Sequence, residues 1–230
     1  MKLCDKLTNA IYGRIVSEFV TPCLTKAGFK PKAKEWFFRR EDDALWRFAS
    51  GFRPEPGRDE GWLDVTVCVG FFSLAEFLSA YPLVRIRDPK KPCAMATDLG
   101  HLMPIHNLYE WRILPDTDET ATGHEIVEAI ELYGLRYFKD YGTLDKALAA
   151  WENGINYNLG SRSDYYIAAA YWLRGDRERA IEFIRLRIAH YNDLYESQRR
   201  LLDLTLRRER EEFSKFLETM ATSAVISSQP

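Results

Sequence analysis

The sequence predicts an α+β fold: an N-terminal helix packed on an antiparallel sheet of about four strands, followed by a C-terminal helical bundle. Three observations predict it. Between Asp5 and Ala27, apolar side chains recur at four-residue spacing. Between Trp62 and Phe72 they alternate with period two. From Thr120 onward the period is helical again. Strands gathered early and helices late favour α+β over a repeating βαβ chain. The corresponding lobes are residues 1–116 and 120–220, with 221–230, small and polar, as a flexible tail.

The first helix carries Leu7, Ile11, Ile15, Phe19 and Cys23 on one stripe, with Tyr12, Val16 and Leu24 beside it. Pro22 has no backbone N–H to donate, which predicts a kink or break between Glu18 and Pro22. Gly28 suits a left-handed helix cap. Lys30, Lys32 and Lys34 alternate around Pro31 and read as a polar connection.

Glu35–Arg40 and Ala44–Phe52 are strand-like runs joined by Glu41-Asp42-Asp43, so a hairpin is the natural reading. In the second run Trp46, Phe48 and Phe52 share one face; Leu45, Arg47, Ala49 and Arg53 share the other. Two prolines and two glycines among charges make Arg53–Gly61 a loop. In the third strand Leu63, Val65, Val67, Val69 and Phe71 face one way and Asp64, Thr66, Cys68 and Gly70 the other. Ser73–Ala80 reads as a short helix. Pro82, Pro89, Pro92 and Pro104 then break any long element, leaving short strands at Leu83–Ile86 and, with a better pattern, Tyr109–Leu114. Pro115–Glu119 is an acidic, turn-rich linker.

Thr122-Gly123-His124-Glu125 fits a capping box, followed by a stripe of Ile126, Ile130, Tyr133 and Tyr137. Thr143, Ser163 and Asp176 are placed to cap further helices, at Leu144–Asn153, Asp164–Arg174 and Arg177–His190. Asp193 with Glu196 reads as the start of a fifth, running to Thr219. Within this half, Ile167, Ala168, Tyr171, Gly175, Ala180 and Ile184 are spaced like one tetratricopeptide helix pair. Ala168 and Ala180 are small where two helices would cross, and Gly175-Asp176 makes the turn. Asp164 and Arg187 depart from that pattern and no second copy follows, so a helical hairpin inside a bundle is the preferred reading.

Lys plus Arg is 32 and Asp plus Glu 34, a net charge of −2, which disfavours non-specific nucleic-acid binding and a polybasic membrane anchor. No apolar run approaches the roughly 20 residues of a membrane span. The N-terminus lacks an apolar core after its basic residues, so no secretory signal is read there. A soluble, cytoplasmic protein is the expectation. The four cysteines, Cys4, Cys23, Cys68 and Cys93, make no C-x-x-C motif and read as buried free thiols.

P-loop, G-x-G-x-x-G and G-x-S-x-G patterns are absent, and no cofactor is implied. Asp98, His101 and His106 carry zinc- or iron-ligating chemistry within nine residues. Pro104 forbids a regular helix between them, and H-x-x-x-x-H is no standard spacing, so surface-loop histidines are preferred over a metal or catalytic site. His124 and His190, at helix ends, read as structural. The aromatic strands carry Trp36, Phe37, Phe38, Trp46, Phe48, Phe52 and Trp62, mostly toward the helix, which favours core over a nucleic-acid stacking platform. The opposite face, with Arg47 and Arg53, remains as a polar or anionic contact surface.

Leu24-x-x-x-Gly28-Phe29-Lys30-x-Lys32, then Trp36-Phe37-Phe38-Arg39, the strand at Trp46, the run Asp64–Gly70 and Tyr109–Ile113 resemble a bacterial family, domain of unknown function 4304, over residues 5–115. Val69 stands where that family usually has a polar residue before the strand glycine. The resemblance implies a helix on a sheet and carries no catalytic motif. By analogy it implies an interaction or immunity-type module.

Taken together, these features lead to the expectation of a non-catalytic bacterial protein that binds a protein partner through the open sheet face (Arg47, Arg53) or the C-terminal helices (Tyr171). The alternative is an enzyme or a metal- or ligand-binding protein with its site between the lobes, near Asp98, His101 and His106.

Overall fold

A computed structural model describes residues 3–33, 35–80, 88–155, 163–197, 211–212 and 214–220. The expected strand at Leu83–Ile86, the polar stretch from Asn156 to Gly160, the arginine-rich run from Arg199 to Arg210 and the tail from Ala221 lie outside the described residues. The fold class is α+β, as expected. No described helix is long and apolar enough to cross a membrane. The chain divides into two compact units: Met1–Phe71 with Lys91–Ala147, and Phe72–Lys90 with Leu148–Pro230.

The first unit opens with α1 (Leu3–Ile15), a π-helical turn (Val16–Val20) and α2 (Thr21–Lys26). The expected break at Pro22 takes the form of that widened turn. Pro22 itself falls in the first turn of α2, directly after the widened turn. Gly28, at φ +86°, closes α2. Its N–H reaches the Thr25 carbonyl and that of Phe29 reaches the Leu24 carbonyl, each at 2.9 Å, the paired bonds of a Schellman cap.

Among the described residues the sheet has six strands, against the four or so expected: β1 (Lys30–Ala33), β2 (Trp36–Glu41), β3 (Ala44–Pro54), β4 (Gly61–Phe71), β5 (Met95–Asp98) and β6 (Trp111–Ile113). All pairings are antiparallel, in the order β1-β2-β3-β4-β5, with β6 also on β4. The lysine segment read as a connection is thus the edge strand β1, all of it exposed. An edge strand has no packing pattern to display, and lysine is suited to guarding such an edge. β5 was not legible because four residues are too few to establish a period.

Phe37, Phe48, Val67 and Thr97 are register partners across four strands and all are buried. This is the core face. Phe29, Phe48 and Phe138 form a ring cluster on it, with centroids 5.2–5.6 Å apart, and Trp46 stacks on Phe138 at 5.1 Å. Each such ring, fully buried, contributes roughly 1.5–3 kcal/mol of transfer free energy.

Two further helices, α5 (Glu119–Ala129) and α6 (Leu135–Tyr141), belong to this unit, joined by a second π-helical turn (Ile130–Gly134); a short turn of helix, α4 (Leu99–Leu102), follows β5. The capping box expected at Thr122 does not form. α5 starts one turn earlier, because the Asp118 carboxylate accepts from the N–H groups of Thr120 and Ala121, each at 3.0 Å. Ile126, Ile130 and Tyr137 are buried as their stripe predicts.

The second unit contains α3 (Phe72–Ser79), most of α7 (Leu144–Glu152, which begins in the first unit), α8 (Ser163–Leu173) and α9 (Arg177–Ser197). The hairpin of α8 and α9 turns at Gly175, φ +84°, and Asp176 caps α9 through the Arg179 N–H at 3.3 Å. Ala168 and Ala180 are completely buried, as small residues at a close helix crossing should be. α9 continues through Asp193 to Ser197, so the new helix expected at Asp193 does not begin there. A helix interior already satisfies the backbone that an aspartate cap would otherwise serve.

Candidate functional site

The second face of the sheet is defined by the same register. Trp36 and Phe38 of β2, Arg47 and Arg53 of β3, and Asp64, Thr66 and Cys68 of β4 all point to it. Of these, only Cys68 is buried; the others are half-buried or exposed, Trp36 at 40%.

Arg47 is the hub. It stands directly opposite Phe38 on one side and Cys68 on the other. Its guanidinium lies 5.2 Å from the centre of the Trp36 ring, and Trp36 stacks on Phe38 with centroids 6.3 Å apart. A cation over an aromatic face is held by the ring quadrupole. On its other side Arg47 donates through Nη2 to Cys68 Sγ at 3.1 Å.

Cys68 Sγ is in turn 2.6 Å from Cys93 Sγ. Cys93 arrives on the segment leading into β5. That segment lies flat on β4: Ala94 N–H donates to the Val69 carbonyl at 2.8 Å, and a Cβ on Gly70 would come within 2.2 Å of the Pro92 carbonyl oxygen. Gly70 therefore admits the backbone that delivers Cys93. The two thiols are pushed in opposite directions. Burial, and hydrogen bonding with Cys93, hold the Cys68 thiol well above its ordinary range. The hydrogen bond from Cys68, aided by the charge of Arg47 and opposed by burial, brings Cys93 down to about 7.

Toward the other end of this face the groups are acidic. The Asp64 carboxylate sits over Gly51, its register partner, where a Cβ would be 2.3 Å from Oδ1. Burial first, then the charges of Asp98 and Glu110, raise its pKa. Thr66 Oγ1 donates to Asp98 Oδ1 at 3.2 Å, and Arg53 Nη2 reaches both Glu110 carboxylate oxygens at 3.0 Å.

The residues singled out in the sequence fall in three places. Arg47 and Arg53 are on the open face as expected. Asp98 Oδ2 and His101 Nδ1 are 3.9 Å apart, while His106 turns aside at φ +48° with its Nδ1 3.4 Å from the His101 carbonyl oxygen. Among the described residues, no group of three or more His, Cys, Asp and Glu side chains is placed to hold a metal ion. Tyr171 is 5% exposed, inside the second unit; its hydroxyl donates to Glu152, and Arg179 both covers its ring at 4.7 Å and pairs with Glu152 at 2.8 Å.

Sequence reasoning missed Cys93. Alternation placed Cys68 on the Arg47 face, but no spacing rule links it to a cysteine 25 positions away. Only the fold-back over Gly70 does that.

No protein-family model, curated protein or solved structure matches this chain.

Proposed function

We propose that this chain is a non-catalytic protein-binding module that presents the open sheet face to its partner. The observation that carries this reading is the Trp36–Arg47 stack on a face where Trp36, Phe38, Arg47, Arg53, Asp64 and Thr66 are half-buried or exposed. Tryptophan and arginine dominate the energetics of protein interfaces, because each combines large contact area with a polar or charged handle. A face that carries both arginines and carboxylates suits a partner of mixed charge better than a polyanion, and the net charge of −2 agrees. Kinship with the family domain of unknown function 4304, and a cytoplasmic setting, belong to the same proposal.

The test is co-purification of the tagged full chain from lysate of its native cell, beside Trp36→Ala and Arg47→Glu forms that retain the wild-type circular dichroism spectrum. A protein held in stoichiometric amount by the wild type and lost from both variants supports the reading. Retention by both variants, or no retained protein at all, overturns it. Near-stoichiometric zinc or iron in the purified chain would instead favour a site at Asp98 and His101.

A further inference from the structure

The Cys68–Cys93 pair is not explained by a binding surface, and it has the parts of a redox site. Two sulfurs 2.6 Å apart are closer than non-bonded contact permits without attraction, and about 0.6 Å from a covalent disulfide of about 2.05 Å. The environments of the two are unequal. Cys68 is 2% exposed, on the central strand β4, while Cys93 is half-buried on a loop. A guanidinium stands beside them, Arg47 Nη2 at 3.1 Å from Cys68 Sγ. One accessible sulfur, one sheltered sulfur and a fixed positive charge is the arrangement in which a thiolate attacks and a second thiol resolves.

We propose that Cys93 and Cys68 form a reversible disulfide site that takes a small hydroperoxide as its oxidant. The Cys93 thiolate attacks one peroxide oxygen; the O–O bond breaks, and the alkoxide or hydroxide leaves and takes up a proton. Cys93 is then a sulfenic acid, oxidised by two electrons. Cys68 attacks the Cys93 sulfur, expelling hydroxide, which takes the Cys68 proton and departs as water. The sum is two thiols and one hydroperoxide giving one disulfide, one alcohol and one water (two waters for hydrogen peroxide). Arg47 is a positioning residue: it holds Cys68 and stabilises negative charge on the pair. Cys93 is half-buried on its loop, which suits an oxidant no larger than a small hydroperoxide. This inference does not depend on the binding reading, and either can be overturned while the other stands.

The experiment treats the reduced full chain with hydrogen peroxide and maps the products by mass spectrometry. The expected result is a mass loss of about 2 Da from the two departing hydrogens, a cross-linked peptide joining Cys68 to Cys93, and reversal by dithiothreitol. Cys68→Ser should stop at a Cys93 sulfenic acid that dimedone captures. Cys93→Ser should leave Cys68 unreacted under the same treatment. Wild-type protein whose Cys68 and Cys93 remain free thiols, or whose Cys93 runs on to sulfinic acid with Cys68 untouched, overturns the proposal. The wild-type mapping decides the matter even if a variant fails to fold.

Discussion

Tyr12 and Ser50, 38 positions apart in sequence, join α1 to β3: the Tyr12 hydroxyl donates to the Ser50 carbonyl oxygen at 3.1 Å and lies 3.2 Å from the Ser50 hydroxyl. Tyr12→Phe is expected to cost about 1 kcal/mol, the usual net worth of a buried hydrogen bond, read from urea unfolding. The effect has a pH signature. Burial pushes Tyr12 up to about 12 from an ordinary value of 10.0, so the fold favours the protonated phenol. That contribution is complete below about pH 10, where the unfolded chain is also protonated, and is lost between about 10 and 12. Over that window the wild type should lose more stability than Tyr12→Phe.

Glycines with and without neighbours should respond oppositely to alanine. At Gly123 in α5 a Cβ would sit 2.3 Å from the Phe19 ring, which projects from the first π-helical turn. Gly123→Ala is expected to destabilise by about 1–3 kcal/mol through overpacking. At Gly13 in α1 a Cβ meets nothing within 4 Å, so Gly13→Ala should stabilise by roughly 0.5–1 kcal/mol. Thermal melts of the two variants should move in opposite directions.

The reactivity of Cys93 should follow its thiolate. With its pKa brought down to about 7, alkylation by iodoacetamide should rise about tenfold between pH 6 and pH 8 and level off above that. Arg47→Met removes one cause of the depression, so the midpoint should move up toward the ordinary thiol range. A midpoint unmoved by Arg47→Met would mean that the guanidinium contributes nothing.

On the open face, Trp36→Ala and Arg53→Glu should each cost about 1 kcal/mol or less, because an exposed cation–π contact and an exposed ion pair contribute little to stability. A large drop in melting temperature for either would mark those side chains as fold-bearing.

In the second unit Ala168 of α8 is completely buried. Ala168→Leu should destabilise by about 1–3 kcal/mol, measured by denaturant titration of the full chain.

Alternation made β3 and β4 legible, since Phe48 and Ser50, and Leu63, Val65 and Val67, are buried while their immediate neighbours Arg47, Ala49, Asp64 and Thr66 are not. Periodicity likewise exposed α1, α5 and the α8–α9 hairpin. The π-helical turns were not legible, because a single widened turn shifts the stripe by one position without erasing it. β1 lies at an edge and has no buried face to display, whereas β6 falls within the strand expected at Tyr109–Leu114, with Trp111 and Ile113 on its buried face. The candidate site was half visible. Arg47, Arg53 and the orientation of Cys68 followed from period two; the meeting of Cys68 and Cys93 is a tertiary event with no local signature.

The excursion of the chain out of the first unit, from Phe72 to Lys90, has a consequence during synthesis on the ribosome. Leu74, Ala75 and Leu78 of α3 are buried in the finished molecule, and Phe77 meets Trp172 of α8 at 6.3 Å between ring centres. α8 begins 84 positions after α3 ends. At roughly 5–20 residues per second, that apolar helix waits about 4–17 s for its partner. For the same reason neither unit can be obtained by cutting the gene once: a product ending at residue 147 carries α3 with nothing of α8 to cover it.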